Sequence, residues 1–153
     1  MQRWDENYWE TYYPVVNMLS FILLLFIAHI HGLNSKSIYF VLASPQADID
    51  IYICMELPEG MIPVGDESNF RLYILKLKKI LYSMKQASHN WYEKLKQYLL
   101  NQYFTPSNID PCIFMKDGML LLLYVYHCII IADSESHIDV LIHSLKMEKR
   151  NMF

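Results

Sequence analysis

The stretch Leu120–Ala132, LLLLYVYHCIIIA, limits the possible fold more than any other part of the chain. Two apolar runs, Leu120–Val125 and Cys128–Ala132, are separated only by Tyr126-His127. Short apolar runs with a two-residue interruption read as a buried β-hairpin. The interruption is chemically odd, because neither Tyr nor His favours the positive φ that two-residue hairpin turns require. Just upstream, Cys112–Lys116, Asp117-Gly118 and Met119–Val125 form a second hairpin signal, with Asp-Gly suited to a type I′ turn. Together they predict a three-stranded antiparallel meander.

The other elements can be placed around this meander. Met18–Ile30 (MLSFILLLFIAHI) reads as a helix ended by Gly32 and Asn34. It is shorter than the ~20 residues that span a bilayer, so a buried core helix is expected rather than a membrane anchor. Ser37–Leu42, Ile51–Leu57 and Phe70–Leu77 read as strands, and Leu81–Ala87 is ambiguous. Ser88 is an acceptable N-cap for a helix reaching about Phe104, with Trp91, Leu95 and Tyr98 facing the core. Ser134–Lys146 repeats the helical pattern through Ile138, Leu141, Ile142 and Leu145. With 54% apolar and 19% charged residues in 153, one α+β domain with a sizeable core is expected.

Cys54, Cys112 and Cys128 are odd in number, lack CxxC spacing and sit in apolar settings, so buried free thiols in a reducing compartment are expected. The first ten residues have no basic n-region, which argues against a signal peptide and for an intracellular protein, cytoplasmic or nuclear. His29 and His31 lie two apart and make a poor metal pair on a helix. His127 and Cys128, adjacent on a strand, point to opposite faces and are no better. The net charge of -3 hides a basic segment: Arg71–Ile109 contains seven Lys or Arg and one acid, Glu93. Such a segment suits phosphates, although it also describes a solvated helix face.

Five motifs, in order, carry a family resemblance. Tyr8–Val16 (YWETYYPVV), Phe40–Asp50 (FVLASPQADID) with Met55–Met61 (MELPEGM), Lys76–Trp91 (KLKKILYSMKQASHNW), Asn108–Phe114 (NIDPCIF) and Leu123–Asp133 (LYVYHCIIIAD) resemble the reverse transcriptases of copia-type LTR retrotransposons. The resemblance implies a fingers-and-palm polymerase core with a ferredoxin-like palm, in which an antiparallel sheet is packed by helices. It also implies RNA-directed DNA synthesis on a template-primer, with two Mg²⁺ ions held by three Asp carboxylates.

All three carboxylate positions differ in this chain. The strand Asp is Tyr39, and the paired turn aspartates are Tyr126 and His127. A phenol is neutral at pH 7 and imidazole suits softer metals, so Mg²⁺ loses its ligands. The aromatic residue expected under the incoming sugar is Ser44, an expected Arg in the early helix is Ile22, and the Gly and Pro of "LYGLKQAP" are Ser83 and Ser88. Gln86, implied to line the nucleotide site, is retained, as are Lys76, Lys78, Lys79 and Lys85.

These departures lead to the expectation of a degenerate, truncated copy: fingers and part of the palm, incomplete at the C-terminus, without thumb, ribonuclease H or integrase. No polymerase activity, metal or cofactor is expected in this copy. The alternative is a non-catalytic nucleic-acid-binding module that uses residues 71–96, chiefly Arg71, Lys76, Lys78, Lys79 and Lys85, with Tyr73, Tyr82, Trp91 and Tyr92 interleaved. Template-primer binding is expected to be weak or absent, no membrane association is expected, and the oligomeric state is open.

Overall fold

The computed structural model describes the chain apart from residues 1–2, 4–5, 7, 42, 50, 59, 62–72 and 152–153, and apart from the side chains of 46 and 147–151. Its elements are α1 (Met18–Ile30), β1 (Asn34–Tyr39), α2 (Ala43–Gln46), β2 (Cys54–Glu56), β3 (Ile74–Lys76), α3 (Ala87–Asn101), β4 (Thr105–Pro106), β5 (Ile113–Lys116), β6 (Met119–Tyr124), β7 (His127–Ala132) and α4 (Glu135–Asn151). The class is α+β. A five-stranded antiparallel sheet runs β1-β7-β6-β5-β4, and a separate two-stranded sheet pairs β2 with β3.

The expected meander is the centre of the larger sheet. Asp117 and Gly118 both take positive φ, 46° and 76°, as a type I′ turn requires. β7 is an interior strand, paired with β6 on one side and β1 on the other. Alternation sorts its neighbours: Leu121 and Leu123 share a face with Ile130 and Cys128, whereas Leu120 and Leu122 share the opposite face with Ile131 and Ile129. Both sets enter one core with Trp91, Leu95 and Leu99 of α3 and Ile138, Leu141 and Leu145 of α4. A second small core of Ala47, Ile80 and Ala87, with Ile49 and Met84 against it, lies apart from the first.

Several boundaries differ from expectation. The first strand runs Asn34–Tyr39, not Ser37–Leu42, because it follows its partner β7 only as far as the hairpin tip. The strand expected at Ile51–Leu57 shrinks to β2, and of Phe70–Leu77 the structure shows β3, with residues 70–72 outside the described residues. Two short strands with only each other to pair have little ladder to extend. Ser88 is inside α3 rather than capping it; the N-cap is Gln86, which makes no side-chain cap bond. Cys112 and Cys128 are buried, and burial pushes the Cys112 thiol up to about 12 and raises Cys128 as well, whereas Cys54 is half-exposed.

The largest departure concerns α1. Asn17 Oδ1 accepts the Leu19 N–H (2.8 Å), and the Asn17 N–H is in turn held by buried Asp110 Oδ2 (2.8 Å). The expected buried helix nevertheless packs only one stripe, Phe21, Leu24, Leu25 and Ala28, against the core. Its opposite stripe is exposed. A helix can turn only one side toward a sheet, and one that is apolar all round has more apolar surface than that contact covers.

Helix ends show where backbone and sequence disagree. α1 ends with Gly32 at φ 64°, its N–H bonded to the His29 carbonyl and the Leu33 N–H to the Ala28 carbonyl, the Schellman pattern. α3 ends the same way, Tyr103 N–H to Leu100 and Phe104 N–H to Leu99, but with Tyr103 at φ 64° where glycine is favoured. Ser83 also sits at φ 71°, at the position where the resembled motif has Gly. Tyr103→Gly and Ser83→Gly should therefore each stabilise the fold by about 1 kcal/mol, since each relieves a left-handed residue that carries a Cβ. Higher urea midpoints at unchanged m values would verify this; a lower midpoint for both would contradict it.

Candidate functional site at the hairpin tip

The register brings the three altered positions together. Tyr39 pairs with His127 across β1 and β7, and Tyr124 pairs with His127 across β6 and β7. The two-residue turn between β6 and β7 is Val125-Tyr126, one residue earlier than the expected Tyr126-His127. His127 belongs to the ladder, and the residue forced to positive φ (53°) is Val125. A β-branched residue there is a real conformational outlier. The Phe40 N–H donates to the Tyr126 carbonyl (2.9 Å), which carries the β1–β7 ladder past the strand end onto the turn.

The side chains then diverge. The Tyr39 and His127 rings meet at 4.8 Å between centroids, tilted 46°, with Tyr39 57% exposed. Beside them a groove of about 360 Å³ is lined by Val16, Met18, Phe21, Ser37, Leu122, Tyr124, His127 and Ile129. Tyr126 points elsewhere. Its hydroxyl lies 2.9 Å from Ser44 Oγ on α2 and 3.2 Å from Ser88 Oγ on α3. Ser44 is fully buried, and Gln86, at the N-terminus of α3, is 1% exposed. One phenol thus links the turn, α2 and α3.

This donor set does not fit Mg²⁺. The ion needs hard, anionic oxygen ligands, but the tip offers one exposed phenol against an imidazole and one phenol already bonded to two serines. Among the described residues no three His, Cys, Asp or Glu side chains gather into a metal site.

The basic segment is less available than its composition suggests. Lys79 and Lys94 both pair with Asp48, the latter at 3.5 Å, and Lys96 pairs with Glu93 at 3.0 Å. The Lys79 hydrogen bond holds the Asp48 carboxyl below the usual range, with Lys94 adding to it against a burial effect of opposite sign. The small stability these exposed pairs contribute is present above the ordinary carboxylate pKa and lost as pH falls through the lowered one. Lys76 Nζ sits 4.5 Å above the Tyr52 ring, Lys78 and Lys85 are exposed, and Arg71 lies outside the described residues. The Asp48 clamp has no local signal in the sequence, because β2 and β3 lie between Asp48 and Lys79, and Lys94 is further on, in α3.

The family profile described as reverse transcriptase (RNA-dependent DNA polymerase) matches residues 1–152, and the chain belongs to that family. Its relatives place it among the retrotransposon Pol polyproteins of copia type, as the motifs imply. It is 31% identical over 135 residues to the retrovirus-related Pol polyprotein from transposon TNT 1-94 of Nicotiana tabacum, covering 85% of this chain and 10% of that protein. Against the Pol polyprotein from transposon RE1 of Arabidopsis thaliana it is 32% identical over 128 residues, covering 81% of this chain and 8% of the relative. A 58-residue segment is 36% identical to the truncated transposon Ty1-A Gag-Pol polyprotein of Saccharomyces cerevisiae, covering 31% of this chain and 5% of that one. The chain therefore spans a tenth or less of these relatives. No solved structure matches it.

Tyr126→Phe should cost about 1–2 kcal/mol, since it leaves buried Ser44 without that partner while keeping the ring. Urea denaturation measures the loss, and a Tyr126→Phe variant as stable as the parent would mean the hydroxyl cluster contributes nothing.

Proposed function

We propose that this chain is a fingers-and-palm portion of a copia-type reverse transcriptase domain in which polymerase chemistry has been replaced by structural contacts. One observation carries the reading: Ser44, Ser88 and Tyr126, three departures from the resembled motifs, meet in a single hydroxyl cluster. By the resemblance, an aromatic ring at position 44 lies under the incoming sugar. Here that ring is gone, and a ring from the hairpin turn reaches over to the serine that took its place. The nucleotide site is thus both stripped of carboxylates and partly filled.

Primer extension on an RNA template with Mg²⁺ or Mn²⁺ should give no incorporation above a protein-free control. Replacing Tyr39, Tyr126 and His127 together by Asp should not restore it, because Ser44 and Ser88 remain. Template-dependent incorporation by the parent chain would defeat the proposal.

A second reading, a nucleic-acid-binding module without catalysis, has support from exposed Lys78, Lys85, Tyr73 and Tyr82. The intramolecular pairing of Lys79, Lys94 and Lys96 leaves it a shallow salt dependence. Single-stranded RNA binding should weaken with salt and be lost on joint neutralisation of Lys76, Lys78 and Lys85, with a slope of about -0.7 per phosphate contacted. Salt-independent binding, or none, removes this reading.

A further inference from the structure

We infer that the outer face of α1 is a self-association surface, on which two copies of this chain pair with their α1 helices antiparallel about a two-fold axis. From Met18 to Ile30 the helix carries no Asp, Glu, Lys or Arg. Leu19, Ile22, Leu23, Phe26 and Ile30 follow the i, i+3, i+4, i+7 spacing of a helix-packing stripe. All five are exposed, from 56% for Ile22 to 76% for Leu19, and Met18 and Ile27 widen the stripe. It lies opposite Phe21, Leu24, Leu25 and Ala28, which already face the core. Ile22 holds a position where the resembled motif carries Arg, so the apolar outer face belongs to this chain's own sequence.

The chemistry selects the occupant. Seven apolar side chains, 37% to 76% exposed within thirteen residues, form one contiguous face on the scale of the ~800 Å² per partner of a standard interface, where a monomer's largest patch is usually a few hundred Å². A lipid surface is the poorer fit, since interfacial helices carry Lys or Arg beside the apolar face and α1 has neither. No helix among the described residues is long and apolar enough to cross a membrane. An uncharged apolar stripe is complementary to itself, which an isologous contact requires. Antiparallel pairing also sets each helix's N-terminus, capped by Asn17, near the other's C-terminus, so the helix dipoles oppose favourably.

Sedimentation equilibrium of the 153-residue chain should give twice its 18.2 kDa mass at tens of micromolar. Leu23→Lys with Phe26→Lys should halve that mass at unchanged far-ultraviolet circular dichroism; Ile22→Arg serves as the milder variant if the double change unfolds the chain. In a Cys54→Ser background, Leu23→Cys, near the two-fold axis, should cross-link between copies on oxidation, and Ile30→Cys, far from it, should not. A monomer at all these concentrations overturns the inference. So does a dimer that both charged variants leave intact, or cross-linking through Ile30→Cys rather than Leu23→Cys. Cosedimentation with phosphatidylcholine vesicles that is lost in the Lys variants would assign the face to lipid instead.

Discussion

The structure depends on β7 being paired on both edges. Cys128–Ala132 is bonded to β6 along one side and to β1 along the other, and its side chains feed both faces of the sheet. A central strand with no polar residue between Cys128 and Ala132 has only one stable environment, the interior. Its length fixes where β1 must stop, since the ladder ends at Tyr39–His127 and passes to the turn through the Phe40–Tyr126 bond. The same register that makes the core therefore places positions 39, 126 and 127 together, whatever residues occupy them.

This separates what can drift from what cannot. Replacing a tip residue leaves the ladder bonds in place, because they are made by backbone N–H and C=O groups. Replacing Ile130 or Leu121 would open a cavity in a sheet interior with no room to relax. The tip keeps its backbone geometry and has no carboxylate at 39, 126 or 127, where the resemblance implies three. Val125 at positive φ shows the same logic from the other side: the hairpin's twist demands the turn conformation, and the chain accepts a strained residue to keep it.

Much of this was legible in the sequence where period and turn chemistry agree. Asp117-Gly118 announced its turn, Gly32 its helix end, and Ile138, Leu141 and Leu145 their face. Legibility failed where pairing rather than pattern decides. The turn falls one residue before the Tyr126-His127 break because Val125 reads as strand by propensity, while register makes it a turn residue. The apolarity of α1 predicts burial all round, but apolarity alone does not count the surfaces available to cover it. The cluster of Ser44, Ser88 and Tyr126 joins residues 82 and 38 positions apart, and no local rule connects them.

That cluster changes how the altered tip is understood. The resemblance puts an aromatic at 44, a proline at 88 and an aspartate at 126, and taken singly the three differences look unrelated. In space the hydroxyls of Ser44, Ser88 and Tyr126 meet at one point. Ser44 is fully buried, and a buried hydroxyl needs a partner. The Tyr126 phenol is that partner, and Ser88 offers the phenol a second one that proline could not. A carboxylate in place of Tyr126 would meet the same two hydroxyls but would bring a charge toward the interior without a cation. The present residues are therefore mutually consistent as packing, and returning one of them toward the resembled motif would work against the other two.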